Sequence, residues 1–331
     1  MEKTPFFNNG PVRWGIIGCG NVTEVKSGPP YYLTNNFELV MVMRRNAKKA
    51  KDFAKRHGIP AWTTDAAQLI ESSDVDAVYI ATPPDTHKYY GLMVAKAGKP
   101  CCIEKPMAPN YADSLAIYEA FKERQLPLFI AYYRRSLPRF LKLKEWIDEG
   151  KIGELRHLNW IKTRTPSPLD QSSSDNWRTN AHIAKGGYFD DLASHGLNLF
   201  SFLLGDIIKA SGVCTNQQGW YSSYDSISGC WMHSSGVTGA ATWNFGSNRP
   251  IDKVELFGSK GEIHFSVLGE APLLLITDQG SQSLSIDHPK HLHQYHVENI
   301  QKHLFGVAQH PSLGDSGLAT SWVMDSILGV L

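Results

Sequence analysis

An α/β architecture, with an N-terminal doubly wound parallel sheet followed by an α+β domain on a mostly antiparallel sheet, is what this sequence predicts. Three observations predict it. Over roughly the first 130 residues, short apolar runs alternate with helix-period segments, as crossover helices on a parallel sheet require. After about Gly150, β-branched and aromatic residues alternate with polar ones, the mark of half-buried antiparallel strands. The length of 331 residues is enough for two domains.

Taken in order, Val12 to Ile17 reads as the first buried strand, then Phe37 to Met43, Val75 to Ala81, Pro100 to Ile103 and Leu126 to Ala131. Between them, Ala47–His57, Asp65–Glu71, Asp85–Ala97 and Asn110–Arg124 carry apolar residues at helical spacing. In the second half, Leu155–Thr163, Val237–Phe245, Lys253–Phe257 and Glu262–Val267 read as strands, and Gly258–Gly261 as a hairpin turn between the last two. A helix is predicted from Tyr188 to Leu204, stopped by Gly205. His291–Ala308 and Asp315–Leu328 read as closing helices. Thr165–Asn176, with two prolines and three consecutive serines, is either a mobile lid or an inert surface loop.

Composition narrows the function classes. Hydrophobic residues make up 42% and charged ones 20%, and 33 basic side chains face 32 acidic ones for a net charge of +1. Such a balance offers no electrostatic footprint for nucleic acid or an anionic membrane, so a small-molecule partner is expected. The five cysteines include no Cys-x-x-Cys, which fits reduced thiols and a cytoplasmic location. Neither a signal peptide nor a membrane-spanning run is apparent.

The first strand leads into Gly18-Cys19-Gly20-Asn21-Val22-Thr23. Gly18 permits a tight strand-to-helix turn, and Gly20 lets backbone approach a pyrophosphate without a Cβ in the way. The N–H groups at Asn21 and Val22 then face the negative charge. The third fingerprint position is Thr23 rather than Gly or Ala, which loosens helix-on-strand packing. This pattern predicts a Rossmann-type dinucleotide site. The second strand runs into Arg44-Arg45, where a NAD-specific site places an acid against the ribose hydroxyls. Two guanidiniums there favour NADP(H), with NAD(H) possible; the rival reading is a solvated helix start.

Gly18-Cys19-Gly20, Ala81-Thr82-Pro83-Pro84-Asp85-Thr86-His87, Glu104-Lys105-Pro106 and Gly186-Gly187-Tyr188-Phe189-Asp190-Asp191-Leu192-Ala193-Ser194-His195 follow one another in that order. Together they resemble the Gfo/Idh/MocA family (glucose–fructose oxidoreductase and inositol dehydrogenase-like). The resemblance covers nearly the whole chain. It implies an NAD(P)-binding Rossmann domain over 1–131 and a substrate and oligomerisation α+β domain over 132–312 with a large open sheet. A closing helix, 313–331, is expected to pack back on the first domain. It further implies hydride transfer between nicotinamide and a sugar, polyol or related cyclic alcohol or ketone, in a homodimer or homotetramer. Two alternatives stand beside it: a redox-assisted glycoside-cleaving enzyme that retains NAD, and a non-catalytic cofactor-binding regulator.

Lys105 follows a strand end, where ligands of a doubly wound sheet bind. Its amine can stabilise a developing alkoxide or polarise a ketone, the role the resemblance assigns to it. Asp191 and His195 lie four apart on a predicted helix, so they share a face. The imidazole suits general acid/base work on the substrate hydroxyl, and Asp191 either orients it or binds substrate. Asp190 points elsewhere on the helix. Asn198 stands where many relatives carry Asp, a departure that bears on substrate choice.

Further candidates are less specific. Thr82, Pro83 and His87 resemble a segment alongside the cofactor, although His87 serves equally well as a structural histidine. Glu104 is a candidate for the nicotinamide ribose or for a salt bridge. Tyr133 and Arg134 follow the fifth strand, and Trp177-Arg178 resembles a step near the substrate in some relatives. Lys26 and Tyr31 flank Gly28-Pro29-Pro30; these prolines should end the first helix early, and the segment is expected to reach the site. His288, His291, His293 and His296 lack the closed ligand set of a zinc site. They read as solvated histidines, and no metal is expected.

Overall fold

The computed structural model describes residues 4–172 and 176–331. They form two compact units, 1–137 with 289–318 and 138–288 with 319–331. In the first, strands β1 (Val12–Ile17), β2 (Phe37–Met43), β3 (Ala61–Thr63), β4 (Ala77–Ile80), β5 (Cys101–Ile103) and β6 (Leu128–Ile130) build one sheet in the order β3-β2-β1-β4-β5-β6. Every neighbouring pair is parallel. The order reverses between β1 and β4, and at such a switch point the loops beyond the strand ends part to leave a crevice.

Both faces of this sheet are buried. One carries Trp14, Ile16, Tyr79, Cys102 and Phe129, covered by Phe53 of helix Ala47–His57 and by Val297, Ile300 and Leu304 of helix Gln294–Leu304. The other carries Ile17, Val78, Ile80 and Ile103 under Leu69, Val94 and Ile117. The helix after β1 spans only Asn21–Val25, and a separate turn of helix begins at Pro30, the early interruption that Pro29 and Pro30 predict.

The second unit holds an eight-stranded sheet: β7 (Leu155–Thr163), β8 (Ile207–Thr215), β9 (Ser226–His233), β10 (Thr238–Asn244), β11 (Ile251–Gly258), β12 (Gly261–Phe265), β13 (Leu273–Thr277) and β14 (Gly280–Leu284), in the order β14-β13-β12-β11-β7-β10-β9-β8. All pairs are antiparallel except β10 with β7, as the alternating pattern predicts. Helix Tyr188–Leu204 runs to its predicted bounds and is closed by Gly205. It packs on the inner face of the sheet, Phe200 meeting Trp160 edge-on at 5.5 Å and Phe189 meeting Trp243 at 4.9 Å between ring centroids. A Cβ at Gly196 would stand 2.4 Å from the Trp160 ring, so only glycine lets the helix approach so closely. Among the described residues no helix is long and apolar enough to cross a membrane.

Candidate active site

A candidate cofactor cleft lies at the β1/β4 switch point of the first unit. Gly18 has φ +95°, and a Cβ there would lie 2.7 Å from Thr82 Cγ2 and 2.9 Å from the Ala81 backbone; no other residue type fits that turn. A Cβ on Gly20 would meet nothing nearer than the Gly18 carbonyl at 3.8 Å. The space it would occupy is an open cradle beside backbone N–H groups, which fits the pyrophosphate of a dinucleotide. With the following helix only five residues long, backbone amides rather than a helix macrodipole supply most of this field. Thr23 is fully buried, and its hydroxyl donates to the Gly20 carbonyl at 2.8 Å. The third fingerprint position thus ties the turn to the helix through a hydrogen bond instead of through close packing.

Of the residues named from sequence, Gly18, Gly20, Arg44, Arg45, Thr82 and Pro83 line one cleft of about 420 Å³. Lys49, Thr86 and Tyr90 join them, and sequence reasoning missed all three. A signal existed, since Thr86 and Tyr90 stand one helical turn apart directly after the Thr82-Pro83 turn. Arg44 donates to the Cys19 carbonyl at 2.9 Å, which commits part of its guanidinium to the glycine turn. Arg45 and Lys49 are exposed. Asn21 and Val22 open the short helix and are absent from the cleft lining.

His87, Glu104 and Lys105 occupy different environments. His87 is fully buried, with Nε2 2.9 Å from the Thr82 carbonyl and Nδ1 3.1 Å from that of Pro106. Burial lowers its pKa against the pull of these carbonyls. It bridges the loops after β4 and β5. Glu104 is turned into the unit: Oε1 accepts from Tyr79 Oη at 2.5 Å and faces His293 Nε2 at 3.7 Å, and Oε2 accepts from Lys105 N at 3.2 Å. Lys105 itself is half-buried at the end of β5.

Tyr133 and Arg134 begin a single 3₁₀ turn after β6, both buried, with the guanidinium 4.8 Å from the Tyr133 ring centroid. Tyr133 also packs, tilted by 33°, against the His293 ring at 4.6 Å between centroids. The expectation of solvated histidines fails here. His293 is 2% exposed and His296 is fully buried, because helix Gln294–Leu304 covers the sheet and turns them into the core. Among the described residues no group of side chains could hold a metal ion. The segment around Gly28 meets this region through the backbone, where His293 N donates to Lys26 O at 3.1 Å, while Tyr31 is buried and stacks on Tyr79 at 4.8 Å.

In the second unit, Gly187 with φ +66° starts helix Tyr188–Leu204, and a Cβ there would press to 2.7 Å from the Tyr224 carbonyl. Asp191 and His195 both lie on this helix, 9% and 6% exposed. Arg178 Nε donates to Asp191 Oδ2 at 2.6 Å, and the guanidinium lies 4.4 Å from the Trp177 ring centroid, so Trp177, Arg178 and Asp191 form one cluster. Asn198 is fully buried and donates to Thr320 Oγ1 at 2.9 Å, which makes it a core contact of this unit. Residues 173–175 of the Thr165–Asn176 loop lie outside the described residues. The preceding part is anchored by Asp170, 2% exposed, which accepts from Tyr188 Oη at 2.5 Å and pairs with Arg164 at 2.8 Å.

A parallel sheet of this order with a glycine cradle at its switch point defines a dinucleotide-binding protein. The chain belongs to the Gfo/Idh/MocA oxidoreductases: residues 12–132 match the model described as an oxidoreductase family with an NAD-binding Rossmann fold, and residues 140–264 match the family's C-terminal domain. It is 36% identical to Oxidoreductase P35 of Formosa agariphila over 96% of this chain and 98% of that one. Similarity to the myo-inositol 2-dehydrogenase of Thermotoga maritima is 26% identity over 82% of this chain and 80% of that protein. The fold matches that of levoglucosan dehydrogenase in complex with NADH and levoglucosan, with TM-score 0.83, 22% identity and 97% of each chain covered. As a member of this family the chain is an NAD-binding oxidoreductase, a dehydrogenase or reductase acting on CH–OH groups.

Proposed function

We propose that the enzyme is an NADP(H)-preferring dehydrogenase or reductase of a sugar, a polyol or a related cyclic alcohol or ketone. The observation that carries the cofactor reading is the cleft itself, where Arg44, Arg45 and Lys49 gather at the end of β2 beside the glycine cradle. Among the described residues no acid lines that cleft, and three cations there suit a ribose 2′-phosphate. The substrate reading draws support from relatives named for inositol and levoglucosan.

In this reading Gly18, Gly20 and the adjoining backbone hold the pyrophosphate, and Thr82 and Pro83 shape the wall toward the nicotinamide. When bound, the dinucleotide supplies the hydride acceptor or donor. Lys105 meets the substrate oxygen and stabilises the negative charge that grows on it. His195 takes the hydroxyl proton in oxidation and returns it in reduction. Asp191, held by Arg178, binds substrate or fixes the imidazole.

A panel of sugars and polyols followed at the nicotinamide absorbance, with NADP and NAD in parallel, tests this. Turnover with higher kcat/KM for NADP is expected, and consistently higher kcat/KM for NAD would sink the cofactor reading. Cleavage of a glycoside with no net change in absorbance would instead place the chain among redox-assisted glycoside-cleaving enzymes.

A further inference from the structure

Beneath the loop that carries Lys105, the apolar face of the parallel sheet holds a polar island. Tyr79 rises from β4, Glu104 stands just past β5, and His293 precedes the helix Gln294–Leu304 that closes this face. All three are buried: Tyr79 is fully enclosed, His293 is 2% exposed and Glu104 7%. A carboxylate taken out of water is costly to leave without donors. Here Tyr79 Oη donates to Oε1 at 2.5 Å, Lys105 N donates to Oε2 at 3.2 Å, and His293 Nε2 stands 3.7 Å from Oε1. The two rings beside the carboxylate are themselves fixed. Tyr79 is stacked on Tyr31 at 4.8 Å, the His293 ring lies on Tyr133 at 4.6 Å, and its backbone N–H is bound by Lys26 O at 3.1 Å.

We propose that Tyr79 and His293 are positioning residues for Lys105, acting through the Glu104 carboxylate that they hold against the sheet. Glu104 grips the peptide N–H of Lys105, so wherever that carboxylate is fixed, the backbone of the lysine is fixed with it. A side chain meant to meet a substrate oxygen depends on such support, because a displacement of about 1 Å at a reacting group is worth roughly 100-fold in rate. Burial keeps the Tyr79 phenol protonated, hence a donor. Burial and the charges of Lys105, Arg134 and Lys26 push His293 down to about 3, so its imidazole is neutral. At 3.7 Å from Oε1, Nε2 lies beyond hydrogen-bond distance, so the ring supports the carboxylate by packing and by its dipole. The inference rests on the reading of Lys105 as the group that meets the substrate oxygen.

Tyr79→Phe keeps the stacked ring and removes the hydroxyl. A fall in kcat of about tenfold or more is expected, with KM for the cofactor within about twofold. In the Lys105→Ala background the same substitution should leave the residual kcat unchanged, as it must for a residue that works through Lys105. Without any ligand, hydrogen exchange at the Ile103, Glu104 and Lys105 amides should quicken in Tyr79→Phe and in Glu104→Gln, with no further gain when the two are combined. His293→Gln, which retains a dipole near the place of Nε2, should keep activity that His293→Leu loses; that pair serves if Tyr79→Phe fails to fold. A kcat within twofold of the parent in both Tyr79→Phe and His293→Leu, beside an inactive Lys105→Ala, overturns the inference alone. So does an equal loss from Tyr79→Phe in the Lys105→Ala background. Full activity in Lys105→Ala removes the catalytic role of the lysine and this inference with it.

Discussion

Asp190 and Asp191 are neighbours in the chain with opposite electrostatic surroundings. Asp191 is held by the Arg178 guanidinium at 2.6 Å. Asp190 is buried, accepts from the Gly186 N–H at 3.0 Å, and is pushed up to about 8 by desolvation, with Asp325 and Asp191 adding repulsion. The folded chain therefore keeps a proton that the unfolded chain releases. Stability is full below the ordinary carboxylate range and is lost as pH climbs from there to about 8. Asp190→Asn should flatten that slope and raise Tm at pH 8 relative to the parent by a few degrees, on the order expected for 1 kcal/mol; equal melting curves at pH 5 and 8 in the parent would contradict it. Sequence spacing separates the two aspartates by helical angle, but the burial that neutralises one of them comes from partners remote in the chain. The residues proposed to hold the cofactor show the same division. Gly18, Gly20 and Arg45 are legible because a local turn and a strand end dictate them, whereas Lys49 reaches the cleft by tertiary placement. Arg45→Glu puts this to use: kcat/KM with NADP should fall about 10- to 100-fold, the worth of one charge-assisted contact, while that with NAD changes little.

At the level of elements, the loop after β7 is held by chemistry that its serines and prolines conceal. Burial pushes the Asp170 carboxyl up, but the Ser167 N–H, the Tyr188 hydroxyl and the Arg164 charge outweigh it and hold it below the ordinary range. This contribution is present at neutral pH and is lost as pH falls through the lowered value. Asp170→Ala leaves Arg164 and Tyr188 without their shared partner and should cost about 3 kcal/mol, or roughly 5–10 °C in Tm, read by thermal denaturation at pH 7. Other elements were legible to different degrees. Helices Ala47–His57 and Tyr188–Leu204 match their sequence bounds because periodicity and end signals coincide there. The three-residue β3 and the apolar run of β13 were passed over, and strands β8, β9 and β14 escaped the reading for another reason. Their residues, such as Gly280-Ser281-Gln282-Ser283, are largely polar or half-exposed, and cross-strand neighbours rather than intrinsic pattern hold them. Helix Pro138–Asp148 was missed although its signal was present, with proline at the first position and Phe140, Leu143 and Trp146 three apart.

Across the whole molecule, the alternation of strands and helices in the first unit was enough to predict its sheet, since a parallel sheet leaves few arrangements for such a chain. The strand order of the second unit was not legible, because the parallel pairing of β10 with β7 joins segments 81 residues apart, Thr238 opposite His157. The face of that sheet away from helix Tyr188–Leu204 includes Ile161 and Val213, 43% and 73% exposed. A symmetric assembly through this face is proposed, in line with the family resemblance. Light scattering should give twice or four times the chain mass, and a monomer mass would refute the assembly.

The five thiols divide between the two units in a way that makes each unit separately countable. Cys19, Cys101 and Cys102 are buried in the first, while Cys214 is half-buried and Cys230 exposed in the second. Cys230 shares a sheet face with Val213, so a disulfide-exchange reagent applied to native protein should find it fast only where that face is left uncovered by the assembly. The three inner ones become reactive only when the nucleotide-binding unit opens, which turns ordinary cysteine labelling into a clock for local unfolding of that unit.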